Sequence, residues 1–360
     1  MGKMVATGFL HAFVGRRVMV TGHTGFKGSW LAFLLREIGA DVLGYALPPT
    51  ESNSHFSLLR LDQSVRHIQG DIRDFDRLSA TMSEFEPEFV FHLAAQAIVT
   101  QSYSDPKSTF ETNVIGSVNL LEAIRQCEAV RSLVYITSDK CYENVEWLWG
   151  YRENDRLGGH DPYSASKAAA EIVFSAYSSS FFSHRPELGA ASARAGNVIG
   201  GGDWANDRIV PDCIRSIASD LPIRLRNPDA TRPWQHVLEP LSGYLLLASK
   251  LRESPYSFAG SWNFGPYSRE VRTVIEVARR ITNGFGRGQI EIEPHDLLKH
   301  EAQILLLNCD KAQQKLAWNP RWNFDQTIDA TVSWYKEVLD GADAAAVTRG
   351  QLLDYFPELK

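Results

Sequence analysis

The chain has 360 residues, 44% hydrophobic and 22% charged, enough apolar material for a large core built as one composite domain or two closely connected ones. Its 37 basic and 43 acidic side chains leave a net charge of −6, which excludes a general attraction to nucleic acid or to an anionic membrane surface. Cys127, Cys141, Cys213 and Cys309 are isolated, with no Cys-x-x-Cys pair and no histidine at ligand spacing, so neither a disulfide framework nor a metal site is expected. Met1–Ala6 has no signal-peptide core, and no run approaches the ~18 apolar residues of a membrane helix, so a cytoplasmic protein is expected.

In chain order, Arg17–Thr21 reads as a buried strand and Lys27–Ile38 as the helix after it. Strands follow at Asp41–Tyr45 and Val65–Gln69, a helix at Phe75–Phe85, and a fourth strand at Glu88–Leu93. Thr109–Arg125 reads as a long helix, Ser132–Ile136 as a fifth strand, Pro162–Phe181 as another long helix and Ala190–Arg194 as a sixth strand. This alternation predicts an α/β fold, a doubly wound, Rossmann-type parallel sheet covered on both faces. Beyond Gly196 glycine and proline become frequent and the elements shorten, which predicts a smaller, mixed α/β substrate-binding lobe. The expected division is 1–193 for the cofactor domain, with a return segment at 237–261 that includes a helix at Pro240–Leu251. The segments 194–236 and 262–360 then form the second lobe.

Between the first strand and first helix lies Thr21-Gly-His-Thr-Gly-Phe-Lys-Gly28. Gly22, Gly25 and Gly28 let the backbone turn tightly and let a diphosphate approach the helix N-terminus, with Thr24, Phe26 and Lys27 between them. Successive strand ends should complete a dinucleotide site: Asp71 and Ile72 near adenine, and Leu93, Ala94, Ala95 and Gln96 beside ribose and diphosphate. The second strand ends without the usual ribose-binding acid, and no arginine replaces it to hold a 2′-phosphate; NAD is expected over NADP. Tyr163 and Lys167 stand four apart on a predicted helix and share a face, so an ammonium can favour the phenolate that accepts a hydroxyl proton. A second such pair, Tyr103 and Lys107, is interrupted by Asp105-Pro106. Thr137-Ser-Asp-Lys-Cys-Tyr142 follows the fifth strand and sets an acid beside an amine, one strand end from the expected cofactor.

Together these residues resemble the extended short-chain dehydrogenase/reductase family, and within it the sugar-nucleotide 4,6-dehydratases, over nearly the whole chain. His23–Trp30, Ser138–Asn144, Arg194–Trp204 and Arg232–Val237 carry the likeness most specifically and point to members that act on CDP-glucose. The resemblance implies a tightly held NAD that is reduced and reoxidised within one turnover, with CDP-4-keto-6-deoxyglucose and water as products. It implies Tyr163 and Lys167 for the redox step, Ser138 on the C4 oxygen and Asp139 as the acid of elimination. Lys140 stands where dTDP-glucose dehydratases carry a glutamate base. A lysine there is either a base with lowered pKa or a cation beside an enolate-like intermediate, and the need for a base favours proton transfer.

Asn197, Arg208 and Arg232 are the implied substrate ligands, a guanidinium fork being suited to paired phosphate oxygens. Trp204 and Trp234 either flank the substrate or pack the core, and His300-Glu301 fits the family pattern without a role. His23, His92 and His236 are read as structural. A homodimer through Thr109–Arg125 and Pro162–Phe181 is expected, pairing further being open. The alternatives are a 4-epimerase, a dehydratase for another nucleotide sugar, and a non-catalytic NAD-binding regulator.

Overall fold

The computed structural model describes Met4, residues 7–293 and residues 304–359; the His300-Glu301 pair lies outside them. Its centre is a sheet of parallel strands: β1 (Arg17–Thr21), β2 (Asp41–Ala46), β3 (Arg66–Gln69), β4 (Phe89–His92), β5 (Ser132–Ile136), β6 (Gly189–Arg194) and β7 (Gly260–Asn263). The spatial order is β7-β6-β5-β4-β1-β2-β3. The chain therefore starts in the middle, winds to one edge, and returns to the other side of β1. That reversal opens a crevice between the ends of β1 and β4, where Thr21 lies beside His92.

The helices nearest the site are α1 (Phe26–Glu37), α2 (Phe75–Phe85), α3 (Gly116–Gln126), α4 (Pro162–Ser180) and α5 (Leu238–Glu253). Alternate strand residues serve opposite faces, as a period of two requires. Val18, Val20, Phe91 and Val134 pack on one side with Trp30 and Leu34 of α1 and Leu241 and Leu245 of α5. Met19, Leu43, Val90 and Tyr135 pack on the other with Met82 of α2, Leu120 of α3 and Phe174 of α4. Strands buried on both faces are continuous in apolar residues, which is why β1, β4 and β5 stand out in the sequence.

Two helices depart from their expected bounds. The segment read as one helix over Thr109–Arg125 starts earlier, at Pro106, where the Asp105 side chain accepts from Ser108 N at 3.0 Å and Pro106 needs no N–H partner. It then widens into a π turn over Glu111–Ile115 before α3 begins. Helix α5 starts at Leu238 and carries Pro240 in its first turn, where the missing N–H costs no helical hydrogen bond. Strand β7 has no counterpart in the expected elements.

Past β6 the chain forms two-residue and three-residue pairings, Val198–Ile199 with Gln235–His236, Ile223–Leu225 with Ile290–Ile292, and Thr231–Arg232 with Arg272–Thr273. Helices Ile209–Ala218, Val274–Phe285, Phe324–Leu339 and Ala344–Tyr355 surround them. Side-chain bonds tie this part to the first: Trp30 Nε1 donates to Gly201 O at 2.9 Å, and His55 bridges Ser29 and Thr348 at 2.9 and 3.1 Å. No helix among the described residues is long and apolar enough to cross a membrane.

Candidate active site

The β1–α1 turn is built from contacts that only glycine permits. Gly22 has φ 75°, and a Cβ there would lie 2.6 Å from Ala94 N. A Cβ on Gly28 would lie 2.1 Å from Gly22 O. The turn is thereby pressed against the Leu93-Ala94 end of β4, while Gly25, the N-cap of α1, stays exposed with the unpaired amides of the first helical turn behind it. Such a cradle fits a dinucleotide diphosphate. Thr24 turns its hydroxyl away, donating to Leu47 O at 2.9 Å, and Phe26 is half-buried.

At the next strand ends the backbone is better placed for a ligand than several of the side chains. The Asp71 carboxylate is held by the Arg73 guanidinium, at 2.6 Å to Nη2, which keeps its carboxyl below the usual carboxylate range. The Ile72 side chain packs under α3, where a Cβ on Gly116 would lie 2.6 Å from its Cδ1. Gln96 spends its side-chain amide on Thr109 Oγ1 at 2.9 Å and on Ile98 N. Ala95 lies between them, half-buried.

The residues expected to serve elimination come together at the end of β5. Ser138, Asp139 and Lys140 enter a single 3-10 turn over Asp139–Cys141, with Ser138 Oγ accepting from Lys140 N at 3.3 Å and donating to Asp139 Oδ1 at 2.9 Å. Asp139 is fully buried, and its Oδ2 has no hydrogen-bond partner among the described residues. Gly196 presses against it: a Cβ there would overlap the carboxylate, at 1.8 Å from Oδ2. Lys140 Nζ lies 3.9 Å from Asp139 Oδ1 with its side chain 30% exposed.

Tyr163 and Lys167 project from the first turns of α4, which Asp161 caps by accepting from Ser164 N at 2.9 Å. Both are buried, and Lys167 Nζ is 6.0 Å from the Tyr163 ring centroid. Burial pushes the Tyr163 phenol up to about 12; the neighbouring Ser138 hydroxyl and the Arg208 charge pull the other way. Burial lowers Lys167 to about 8 against the attraction of Glu171, one turn further along α4. Lys27 is also lowered to about 8, by burial and by the neighbouring charges of Lys167 and Arg208, with Asp139 opposing.

Lys27, Asp139, Tyr163, Lys167 and Arg208 thus form one electrostatic cluster. Arg208 is steered into it by Asp203, at 2.9 Å. Asn197 holds a left-handed backbone, φ 44°, and its Oδ1 has no partner among the described residues. Arg232 is half-buried in the short strand Thr231–Arg232 of the second lobe. Trp234 is buried and donates to Arg272 O at 3.0 Å, and Trp204 packs edge-on against Tyr335; both serve the core. His23 pairs with His67 at 2.7 Å, His92 with Thr21 at 2.7 Å, and His236 packs between Trp30 and Trp322.

A model of the family described as GDP-mannose 4,6 dehydratase matches residues 19–331. The chain belongs to this family. CDP-glucose 4,6-dehydratase of Salmonella typhimurium is 47% identical over 95% of this chain and 96% of its own length. dTDP-glucose 4,6-dehydratase of Streptomyces antibioticus is 27% identical over 77% and 78% respectively. Among solved structures, UDP-glucose 4-epimerase of Thermus thermophilus in complex with NAD superposes with a TM-score of 0.76 at 28% identity, covering 89% of this chain and 99% of that one. The dTDP-glucose 4,6-dehydratase of Bacillus anthracis in complex with NAD shares the fold at a TM-score of 0.76 and 21% identity, over 92% and 99%.

Within this dehydratase family member, Asn113 is the residue that sequence reasoning missed. It sits in the π turn, accepts from Gln96 N at 2.8 Å, and donates to Gln96 O at 3.0 Å and to Ser166 Oγ at 2.9 Å. It therefore ties the end of β4 to the helix that carries Tyr163 and Lys167. Its only signal is an amide in a helical row of small polar residues, Thr109 before it and Ser117 after it.

Proposed function

We propose that the chain is an NAD-dependent CDP-glucose 4,6-dehydratase, a hydro-lyase that converts CDP-glucose to CDP-4-keto-6-deoxyglucose and water. The observation that carries this reading is the Ser138 hydroxyl, which donates to Asp139 at 2.9 Å and acts to lower the Tyr163 phenol against its burial. Groups suited to oxidation and to elimination thus meet around one hydroxyl. The 47% identical relative is named for this reaction, which supports CDP-glucose as the substrate.

Gly22, Gly25 and Gly28, with the ends of β3 and β4, would hold NAD, and Tyr163 and Lys167 would face its reactive end. The chemistry supplied by bound NAD is hydride acceptance from C4 of the glucose and hydride return at C6, so none is consumed. Tyr163 takes the proton of the C4 hydroxyl, helped by Ser138, Arg208 and the nearby Lys167 ammonium. The resulting ketone acidifies the hydrogen on C5. Lys140 takes that proton while Asp139 protonates the C6 hydroxyl, so the C6–O bond breaks and water leaves. As C6 is reduced Lys140 returns a proton to C5, and the proton taken up by Tyr163 replaces the one Asp139 gave. Arg208 and Arg232 bind the substrate diphosphate and ribose, and Asn197 offers its free Oδ1 to the substrate.

The test is incubation with NAD and, in turn, the CDP, dTDP, UDP and GDP forms of glucose, followed by product identification. A 4-keto-6-deoxy product from CDP-glucose alone is expected, with Tyr163→Phe retaining cofactor but losing turnover. Inversion at C4 without loss of water would make the protein an epimerase. Inertness toward every sugar nucleotide would leave a cofactor-binding regulator.

We further place the cofactor part in 1–193 with the return segment 237–261, which strand β7 prolongs to Asn263, and the substrate lobe in the remainder. A homodimer is proposed through α4 and the segment Pro106–Gln126, which pack side by side and expose Phe110, Ile115 and Ile172. A monomer by sedimentation would refute it. A cytoplasmic location agrees with four unpaired cysteines, all buried.

A further inference from the structure

Behind the acid–base turn lies an ion pair removed from water: Glu171 of α4 and Arg194 of β6, 2.7 Å apart, with side chains 1% and 3% exposed. Burying two charges is expensive, and such a pair commonly adds no more stability than apolar side chains of equal volume. What it does add is fixed direction, because its carboxylate and both terminal guanidinium nitrogens are committed to named partners. The Glu171 carboxylate accepts from Thr137 Oγ1, from Ser192 Oγ at 2.8 Å and from Arg194 Nη2. The other arm of Arg194, Nη1, donates to Tyr142 OH at 2.7 Å and to Glu153 O at 3.0 Å, and the guanidinium lies 4.9 Å from the Tyr142 ring centroid. Tyr142 OH in turn donates to Asn263 Oδ1 at 2.7 Å.

Thr137 and Tyr142 are the residues on either side of Ser138–Cys141. One ion pair therefore grips the turn at both ends. Its two members come from different elements, α4 and β6, and Glu171 lies four residues beyond Lys167 on the helix that presents Tyr163. The same carboxylate thus references the turn to the redox pair.

We propose that the Glu171–Arg194 pair is the positioning device of the acid–base turn: through Thr137 and Tyr142 it fixes where Asp139 and Lys140 present their proton-transferring atoms. This rests on reading that turn as the elimination centre. Neither Glu171 nor Arg194 takes part in a bond change; both act through residues they hold.

Glu171→Gln would strand a buried guanidinium and endanger the fold, so the test deletes only hydroxyls and leaves the ion pair intact. Thr137→Val and Tyr142→Phe are compared with the parent and with Thr137→Ser, in the full chain with NAD. Amide hydrogen exchange at Ser138–Cys141 reads the geometry without reference to activity, and is expected to rise roughly 10-fold in the Val and Phe variants. For the substrate established for the parent, kcat is expected to fall roughly 10- to 100-fold with KM within about 2-fold, as misplacement of a proton-transfer group by a fraction of an ångström requires. Thr137→Ser should restore both readouts. Parent-like exchange in both variants, parent-like kcat in both, or a Thr137→Ser as impaired as Thr137→Val overturns the inference. A parent inert toward every sugar nucleotide overturns the dehydratase reading instead, and the exchange data alone then decide the positioning.

Discussion

Replacing Lys167 by methionine should make the protein more stable and inactive. The side chain is 6% exposed, and burial lowers its ammonium from 10.5 to about 8 although Glu171 and Cys141 act to raise it. A lysine whose folded pKa lies below its unfolded one binds its proton more weakly in the folded state. Below a pH of about 8 the folded chain therefore carries the full penalty, which shrinks as pH rises and is gone above the unfolded value. At ~1.4 kcal/mol per pH unit, the shift from 10.5 to about 8 makes the charged lysine cost about 3 kcal/mol. Lys167→Met removes that cost with an apolar chain of similar length. Denaturant midpoints of cofactor-free parent and variant should then differ by about 3 kcal/mol near pH ~7, and the gap should close as pH rises toward ~10. Turnover should be lost, since the cation beside Tyr163 is gone. A variant less stable than the parent near pH ~7, or a gap that does not change with pH, would refute the reasoning.

Gly28→Ala drives a Cβ to within 2.1 Å of Gly22 O, a backbone atom that cannot step aside, so the β1–α1 turn must shift. The purified variant should contain no NAD, and a full complement of bound cofactor would contradict the close approach. Lys140→Arg keeps the positive charge but has no accessible neutral form, so proton transfer by Lys140 predicts a kcat loss of roughly 10²- to 10⁴-fold. Washing of solvent deuterium into C5 should fall with it. Substantial turnover by the arginine variant would instead make Lys140 an electrostatic stabiliser.

The parts of the fold legible in the sequence are those where local pattern and global burial agree. Arg17–Thr21, Ser132–Ile136 and Phe75–Phe85 have the expected bounds. The first two are apolar runs buried on both faces. The third opens on Asp74, whose side chain accepts from Arg77 N at 3.1 Å. Strand β7, Gly-Ser-Trp-Asn, has no β-branched residue and reads as loop. It becomes a strand because β6, with its small Gly-Ala-Ala-Ser side chains, offers an open edge and Trp262 fills the core beside it. The π turn at Glu111–Ile115 is likewise a tertiary outcome: Asn113 makes three hydrogen bonds to two distant residues, Gln96 and Ser166, that a regular helix turn would not aim it at.

Of the candidate site, the contiguous motifs are legible, the glycine turn, Ser138-Asp139-Lys140 and Tyr163 with Lys167, and the convergence of distant segments is not. Nothing in sequence spacing says that Lys27, Lys167 and Arg208 come to share one cleft around Asp139. That convergence has a consequence for binding. Burial depresses Lys27 and Lys167 to about 8, helped at Lys27 by the charges of Lys167 and Arg208. A diphosphate entering the cleft favours the protonated lysines and raises their pKa, so binding near pH ~8 must take up protons. Affinity for a sugar nucleotide should therefore fall as pH rises through about 8, and the binding heat should depend on the ionisation enthalpy of the buffer. A binding heat identical in buffers of different ionisation enthalpy at that pH would show that the lysines are already fully charged in the free protein.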